Sequence, residues 1–135
     1  MVEIALTYNG HLRCTATHGP SGTSLITDPP VDNQGRGESF SPTDLLATAL
    51  GSCMMTYVGI TAKKHGWDLQ GTTMRVEKHM VADPLRRVGK LAVTIYLPVV
   101  ATDEMMRSLM NAVTTCPVKL SISERIDVPV EIIGR

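Results

Sequence analysis

The 135-residue sequence predicts an α+β fold, and three observations carry that prediction. The N-terminal segment alternates apolar and polar residues around Asn9-Gly10, which is the pattern of a β-hairpin. Residues 41–65 form one continuous apolar stretch with helix start and stop signals at its two ends. The inferred order is strands, long helix, two strands, two helices and a final strand, which lacks the regular alternation of a doubly wound parallel sheet. The length suits a single domain, residues 1–135, with a core of its own.

In residues 2–8, Val2, Ile4 and Leu6 alternate with Glu3, Ala5 and Thr7, predicting a first strand. Asn9-Gly10 predicts the turn, and residues 11–17 return as a second strand. A Gly- and Pro-containing turn at 18–22 precedes a short third strand at 23–27. Asp28-Pro29-Pro30 ends it, because proline cannot donate to a ladder. Residues 28–40 then form a loop that is long for a compact domain, and such loops carry function or are disordered.

The next stretch organises the chain. Ser41 predicts an N-cap, Pro42 fits the first helical position, and Asp44 suits both the positive end of the dipole and a capping box. Lys63, Lys64 and His65 occupy the opposite end, and Gly66 is the stop. Leu46, Leu50, Cys53, Tyr57 and Ile60 follow helical spacing, while Leu45, Ala49, Met54 and Val58 cover adjacent faces. A helix apolar nearly all round belongs in a core. Gly51 and Gly59 each cost about 1 kcal/mol of helix propensity, which predicts close approach of a neighbouring element. The few strands offer too little cover, so a homodimer sharing its core is expected.

Residues 67–81 and 88–99 predict a second hairpin, with Leu91, Val93, Ile95 and Leu97 on one face. Thr102 caps a helix over 103–114, whose Met106, Leu109, Met110 and Val113 share a face. Pro117 disfavours helical geometry at Cys116 and itself starts a short helix to about Ser123. Val128, Val130 and Ile132 predict the last strand.

Composition narrows the function. Thirteen basic residues balance thirteen acidic ones, and no basic stripe with interleaved aromatics argues for nucleic acid. Polar residues interrupt the longest apolar tract, so no membrane span is expected. The N-terminus lacks the basic and apolar regions of a signal peptide, so a cytoplasmic location is expected. The three cysteines, Cys14, Cys53 and Cys116, are then reduced, catalytic or simply buried rather than a disulfide framework. No CxxC or histidine cluster points to a metal, and no cofactor is expected.

Cys53 sits mid-helix among apolar neighbours, where a free cysteine commonly behaves as a small hydrophobe and where burial raises a thiol pKa. Cys116 precedes Pro117 at the N-cap of a short helix, where N–H groups and the dipole favour a thiolate. Cys14 reads as a strand residue without chemistry.

The run from Ser41 through Asp44-Leu45-Leu46 to Gly51-Ser52-Cys53 resembles the first cysteine motif of the OsmC/Ohr family, in its OsmC-like branch. Thr115-Cys116-Pro117-Val118 resembles the second motif, and the layout between them is similar over nearly the whole chain. The resemblance implies an intertwined α+β homodimer and a thiol-dependent peroxidase that reduces organic hydroperoxides in oxidative-stress defence. Cys53 would be peroxidatic, Cys116 resolving, and a dithiol reductant such as a lipoylated protein would reopen the disulfide. Peroxidases of that family hold an arginine with a glutamate placed two residues after the one that opens the helix. Here that position is Thr43, which carries no charge. Arg36, oriented by Glu38, is the first candidate for activating Cys53, and Arg13 is the alternative. A weakly catalytic or non-catalytic protein binding a small apolar or electrophilic ligand is the alternative that Thr43 keeps open.

Overall fold

Strands β1 (Ile4–Gly10), β2 (Arg13–His18) and β3 (Ser24–Thr27) form an antiparallel sheet in that order. The computed structural model describes residues 1–135 and divides into two compact units, Met1–Leu46 and Ala47–Arg135. Three stretches of the first unit match the predicted strands, but the first turn does not fall at Asn9-Gly10. Gly10 pairs with Arg13, and the turn residues are His11 (φ 54°) and Leu12 (φ 64°). Two positive φ values at the centre of a two-residue loop are what a type I′ turn requires. Gly10 (φ 82°) relieves the strand just before it, where the ladder shifts register between Tyr8 and Gly10. Asn9 Nδ2 donates to Thr15 Oγ1 at 2.6 Å, and Leu12 N donates to the Tyr8 hydroxyl at 3.3 Å. Moving the turn by two residues makes Arg13 the first residue of β2.

Ile4, Leu6 and Tyr8 stand directly opposite His18, Ala16 and Cys14, and Leu25 stands opposite Ala16. Directly paired residues share a face, so these side chains make one apolar sheet face. Ile4, Leu6, Tyr8 and Leu25 are exposed on it in the single chain.

The loop from Asp28 to Phe40 closes on itself. Asp28 N donates to the Phe40 carbonyl at 3.1 Å, so the two ends touch, as in an Ω-loop. A short 3₁₀ turn, Val31–Asn33, lies within it. Helix α1 (Pro42–His65) follows, and its start is a reciprocal capping box. Asp44 N donates to Ser41 Oγ at 3.1 Å, and Ser41 N donates to Asp44 Oδ2 at 2.9 Å.

In the second unit, α1 buries one stripe: Ala47, Leu50, Gly51, Met54, Val58 and Ala62. The expectation of burial on every face is therefore not met within one chain, and Ile60 is exposed. Gly51 is the predicted close approach, because a Cβ there would lie 2.9 Å from Val76 Cγ2 and 3.2 Å from Met74 Sδ. Gly59 has open space instead. The polar residues of α1 do not break its apolar character: its best 18-residue window has a mean hydropathy of 1.5. By length and composition it is apolar enough to cross a membrane, a test that core helices of globular proteins also pass.

Strands β4 (Thr73–Val81) and β5 (Arg87–Tyr96) pair antiparallel, and β6 (Val130–Ile133) pairs parallel to β5. Leu91, Val93, Ile95 and Leu97 are buried, as their alternation predicts. Helix α2 (Asp103–Thr114) begins at Thr102, whose hydroxyl accepts from Met105 N at 3.1 Å. Its Leu109 and Val113 are fully buried, and each such apolar side chain contributes roughly 1.5–3 kcal/mol of burial free energy. Helix α3 (Pro117–Ser121) is shorter than expected at its C-terminal end.

Candidate dithiol site and arginine cluster

Pro117 dictates the backbone at Cys116. The residue before proline is pushed to the extended region, and Cys116 has φ −66° and ψ 150° as the N-cap of α3. It is fully buried, whereas Cys53, in the middle of α1, is half-buried rather than enclosed by its apolar neighbours. Both are free thiols in hydrogen-bonding contact. Burial pushes the Cys116 thiol above the usual range. The N–H groups of Lys119 and Val118 oppose that rise, and the hydrogen bond to Cys53 and its charge reinforce it. Desolvation thus outweighs the helix N-terminus that was expected to favour a thiolate here. The third cysteine, Cys14, stands on β2 opposite Tyr8 and Thr27.

The first unit holds the charged site candidates Arg13, Arg36 and Glu38. Arg13 Nη2 donates to Glu38 Oε1 at 2.5 Å and to Asp28 Oδ2 at 3.3 Å. Arg36 Nη1 lies 3.8 Å from the same Glu38 oxygen, at the edge of ion-pair distance. The Arg13 side chain is 31% exposed and that of Arg36 is 72% exposed. Glu38 is therefore held chiefly by Arg13, and the Arg36–Glu38 pair is a solvated surface contact. Thr43, at the position of the missing glutamate, has its hydroxyl 3.3 Å from Ser41 Oγ.

Asp28 is the residue that sequence reasoning passes over, because with Pro29 and Pro30 beside it the position reads only as the end of a strand. Its side chain is 0% exposed. Glu38 N donates to Oδ2 at 2.9 Å and Arg36 N donates to Oδ1 at 3.3 Å. The Glu38 N–H does most to hold this carboxyl below its ordinary range. Burial opposes it, and the Arg36 N–H and the charges of Arg13 and Arg36 add to the lowering. The available signal was an aspartate at the mouth of a long Gly-containing loop, since such side chains bond to nearby backbone N–H groups.

A separate open cleft of about 400 Å³ is lined by Met55, Val58, Ala62, Trp67 and Leu69, among others, and by neither cysteine.

The fold and site define an α+β protein with a contacting pair of free cysteines, one on a core helix and one at a proline-marked helix break. The chain belongs to the OsmC-like protein family, whose model matches residues 35–131. Among solved structures it is similar to a protein from Psychrobacter arcticus 273-4 named for osmotic stress induction and the detoxification response. Identity is 47% and the TM-score 0.93, over 98% of this chain and 96% of that one. The fold is also that of the organic hydroperoxide resistance protein OsmC from Legionella pneumophila, at 17% identity and TM-score 0.81, covering 98% of this chain and 96% of that one. OhrB of Bacillus subtilis, an organic hydroperoxide resistance protein, matches at 15% identity and TM-score 0.72, over 98% of each chain. No curated protein sequence matches the chain.

Proposed function

We propose that the protein is a thiol-dependent peroxidase that reduces organic hydroperoxides. The observation that carries this reading is the contact between the half-buried Cys53 and the buried Cys116. The Cys53 thiolate attacks the terminal peroxide oxygen. The O–O bond breaks, Cys53 becomes a sulfenic acid, and the alkoxide takes a proton and leaves as the alcohol. The Cys116 sulfur then attacks the sulfenic sulfur, forming the disulfide and releasing water. An external dithiol, such as a lipoylated protein, supplies the two electrons and two protons that restore both thiols.

A thiol of ordinary pKa is only a few per cent ionised near neutral pH, so the first step needs a cation. Arg13 is assigned that role, with Glu38 supplying the carboxylate that position 43 lacks. Arg36 is the weaker candidate because its side chain is the more exposed and its contact with Glu38 the longer. The active protein is a homodimer in the cytoplasm. The exposed face of Ile4, Leu6 and Tyr8 and the uncovered faces of α1 support a partner copy.

Thr43 favours a second reading, in which the same cysteines bind a small apolar or electrophilic ligand without turnover. The test is peroxide consumption with a dithiol reductant, comparing an alkyl hydroperoxide with hydrogen peroxide. Turnover preferring the alkyl substrate supports the peroxidase. Stoichiometric modification of Cys53 without turnover supports the binding protein.

A further inference from the structure

Glu38 faces two arginines, and something must decide between them. Both guanidinium groups approach the same oxygen, Oε1. The groups around it are Arg13 from β2, Arg36 and Glu38 from the loop, and the buried Asp28. The Asp28 Oδ2 atom accepts from both Glu38 N (2.9 Å) and Arg13 Nη2 (3.3 Å). Its other oxygen accepts from Arg36 N at 3.3 Å. The loop backbone is shaped to deliver those N–H groups. A Cβ on Gly35 would collide with the Pro29 carbonyl oxygen, so only glycine fits there. Gly37 takes φ +65° and turns its own N–H to the Pro29 carbonyl at 3.1 Å, so the N–H groups on either side of it, of Arg36 and Glu38, converge as in an anion nest. The carboxylate that fills this nest is the protein's own.

We propose that Asp28 is a positioning residue. By clamping the Glu38 backbone and the Arg13 guanidinium at one oxygen, it closes the loop and assigns Glu38 to Arg13 rather than Arg36. An asparagine is neutral and keeps one acceptor oxygen: turned toward Glu38 N and Arg13, it sets its NH2 donors against the Arg36 N–H and no longer holds the guanidinium by charge. The functional consequence rests on the reading that Arg13 activates Cys53.

The two effects of Asp28→Asn have opposite signs. Removing a negative charge beside Arg13 by itself favours a nearby thiolate and speeds alkylation of Cys53. Releasing Arg13 from its clamp raises the thiol pKa and slows alkylation, by about tenfold near neutral pH for each pH unit by which the pKa rises. The experiment is the pH profile of Cys53 alkylation in the full-length protein, for the parent, Asp28→Asn and Arg13→Ala. A profile moved upward in both variants supports the proposal. A shift in Arg13→Ala with faster or unchanged alkylation in Asp28→Asn overturns it. An unchanged profile in Arg13→Ala sinks the activation reading instead. The clamp is then judged on the parent protein alone, which also covers a variant that fails to fold. In that protein the amide protons of Arg36 and Glu38 follow one acidic titration by NMR and are protected from exchange by about tenfold or more relative to an unstructured chain. Independent titration of the two amides, or exchange as fast as in an unstructured chain, overturns the clamp.

Discussion

The thiol of Cys116 meets that of Cys53 from a fully buried position, and burial raises its pKa. A resolving cysteine gains from this arrangement. It does not compete as a second nucleophile for peroxide, yet it already touches the sulfur that becomes the sulfenic acid.

Replacing Cys116 with Ser is therefore expected to preserve the first turnover and abolish the catalytic cycle. One equivalent of alkyl hydroperoxide is consumed, and the sulfenic acid on Cys53 persists long enough to be trapped and seen by mass spectrometry. Cys53→Ser consumes none. Equal multiple turnover in the parent and in Cys116→Ser would remove Cys116 from the mechanism.

Arg13→Ala and Arg36→Ala are expected to differ. An opposite charge close to an ionisable group moves its pKa by roughly 1–3 pH units, so losing Arg13 moves the alkylation profile of Cys53 upward. Losing the exposed Arg36 leaves it nearly unchanged. The reverse pattern, read by rates of iodoacetamide modification, would hand the role to Arg36.

The two helical glycines of α1 separate packing within the chain from packing on a partner. Gly51→Ala places a methyl against Val76 and Met74 and is expected to destabilise the fold by about 1–3 kcal/mol, measured by urea denaturation. Gly59→Ala meets nothing in the single chain and gains about 1 kcal/mol of helix propensity. Where a partner copy packs on that face, the same substitution weakens association instead. Light scattering across a dilution series distinguishes the two. A parent protein that stays monomeric at every concentration refutes the homodimer.

Asp28 also sets an acid limit. Its carboxyl lies below the ordinary aspartate value of 3.8 in the folded chain, so its contribution to stability is fully present above that pH. It is lost as pH falls through the folded-state value. The Tm difference between the parent and Asp28→Asn is therefore constant near neutrality and shrinks in acid below about pH 4. A difference that grows on acidification would contradict the lowered carboxyl.

What the sequence disclosed and what it withheld divide along a physical line. Caps and periodicity act over three or four residues, so Ser41 with Asp44, Thr102 and the buried alternation from Leu91 to Leu97 were legible in advance. The break at Pro117 was equally local. The hairpin turn was misplaced because Asn9-Gly10 is a strong local signal that the ladder overrode in favour of His11 and Leu12. The partner of Glu38 was harder still. Arg36 is two residues away in sequence, whereas Arg13 reaches it only once β2 is in place and Asp28 has drawn the loop shut. Burial of α1 on one stripe was equally out of reach, because the hydrophobic pattern marks a face as apolar without naming what covers it.

The parallel pairing of β5 with β6 bears on the order of folding. The ladder joins Val93 to Val130 and Ile95 to Ile132 across both α2 and α3, so its loop-closure entropy comes before any reward. The cluster of Arg13, Asp28 and Glu38 spans a short piece of chain beside a hairpin, and hairpins close in about 1–10 μs. The arginine cluster is thus expected to assemble early. Closure of the β5–β6 ladder, in which Val93 N donates to the Pro129 carbonyl at 2.9 Å, follows as the later and slower event.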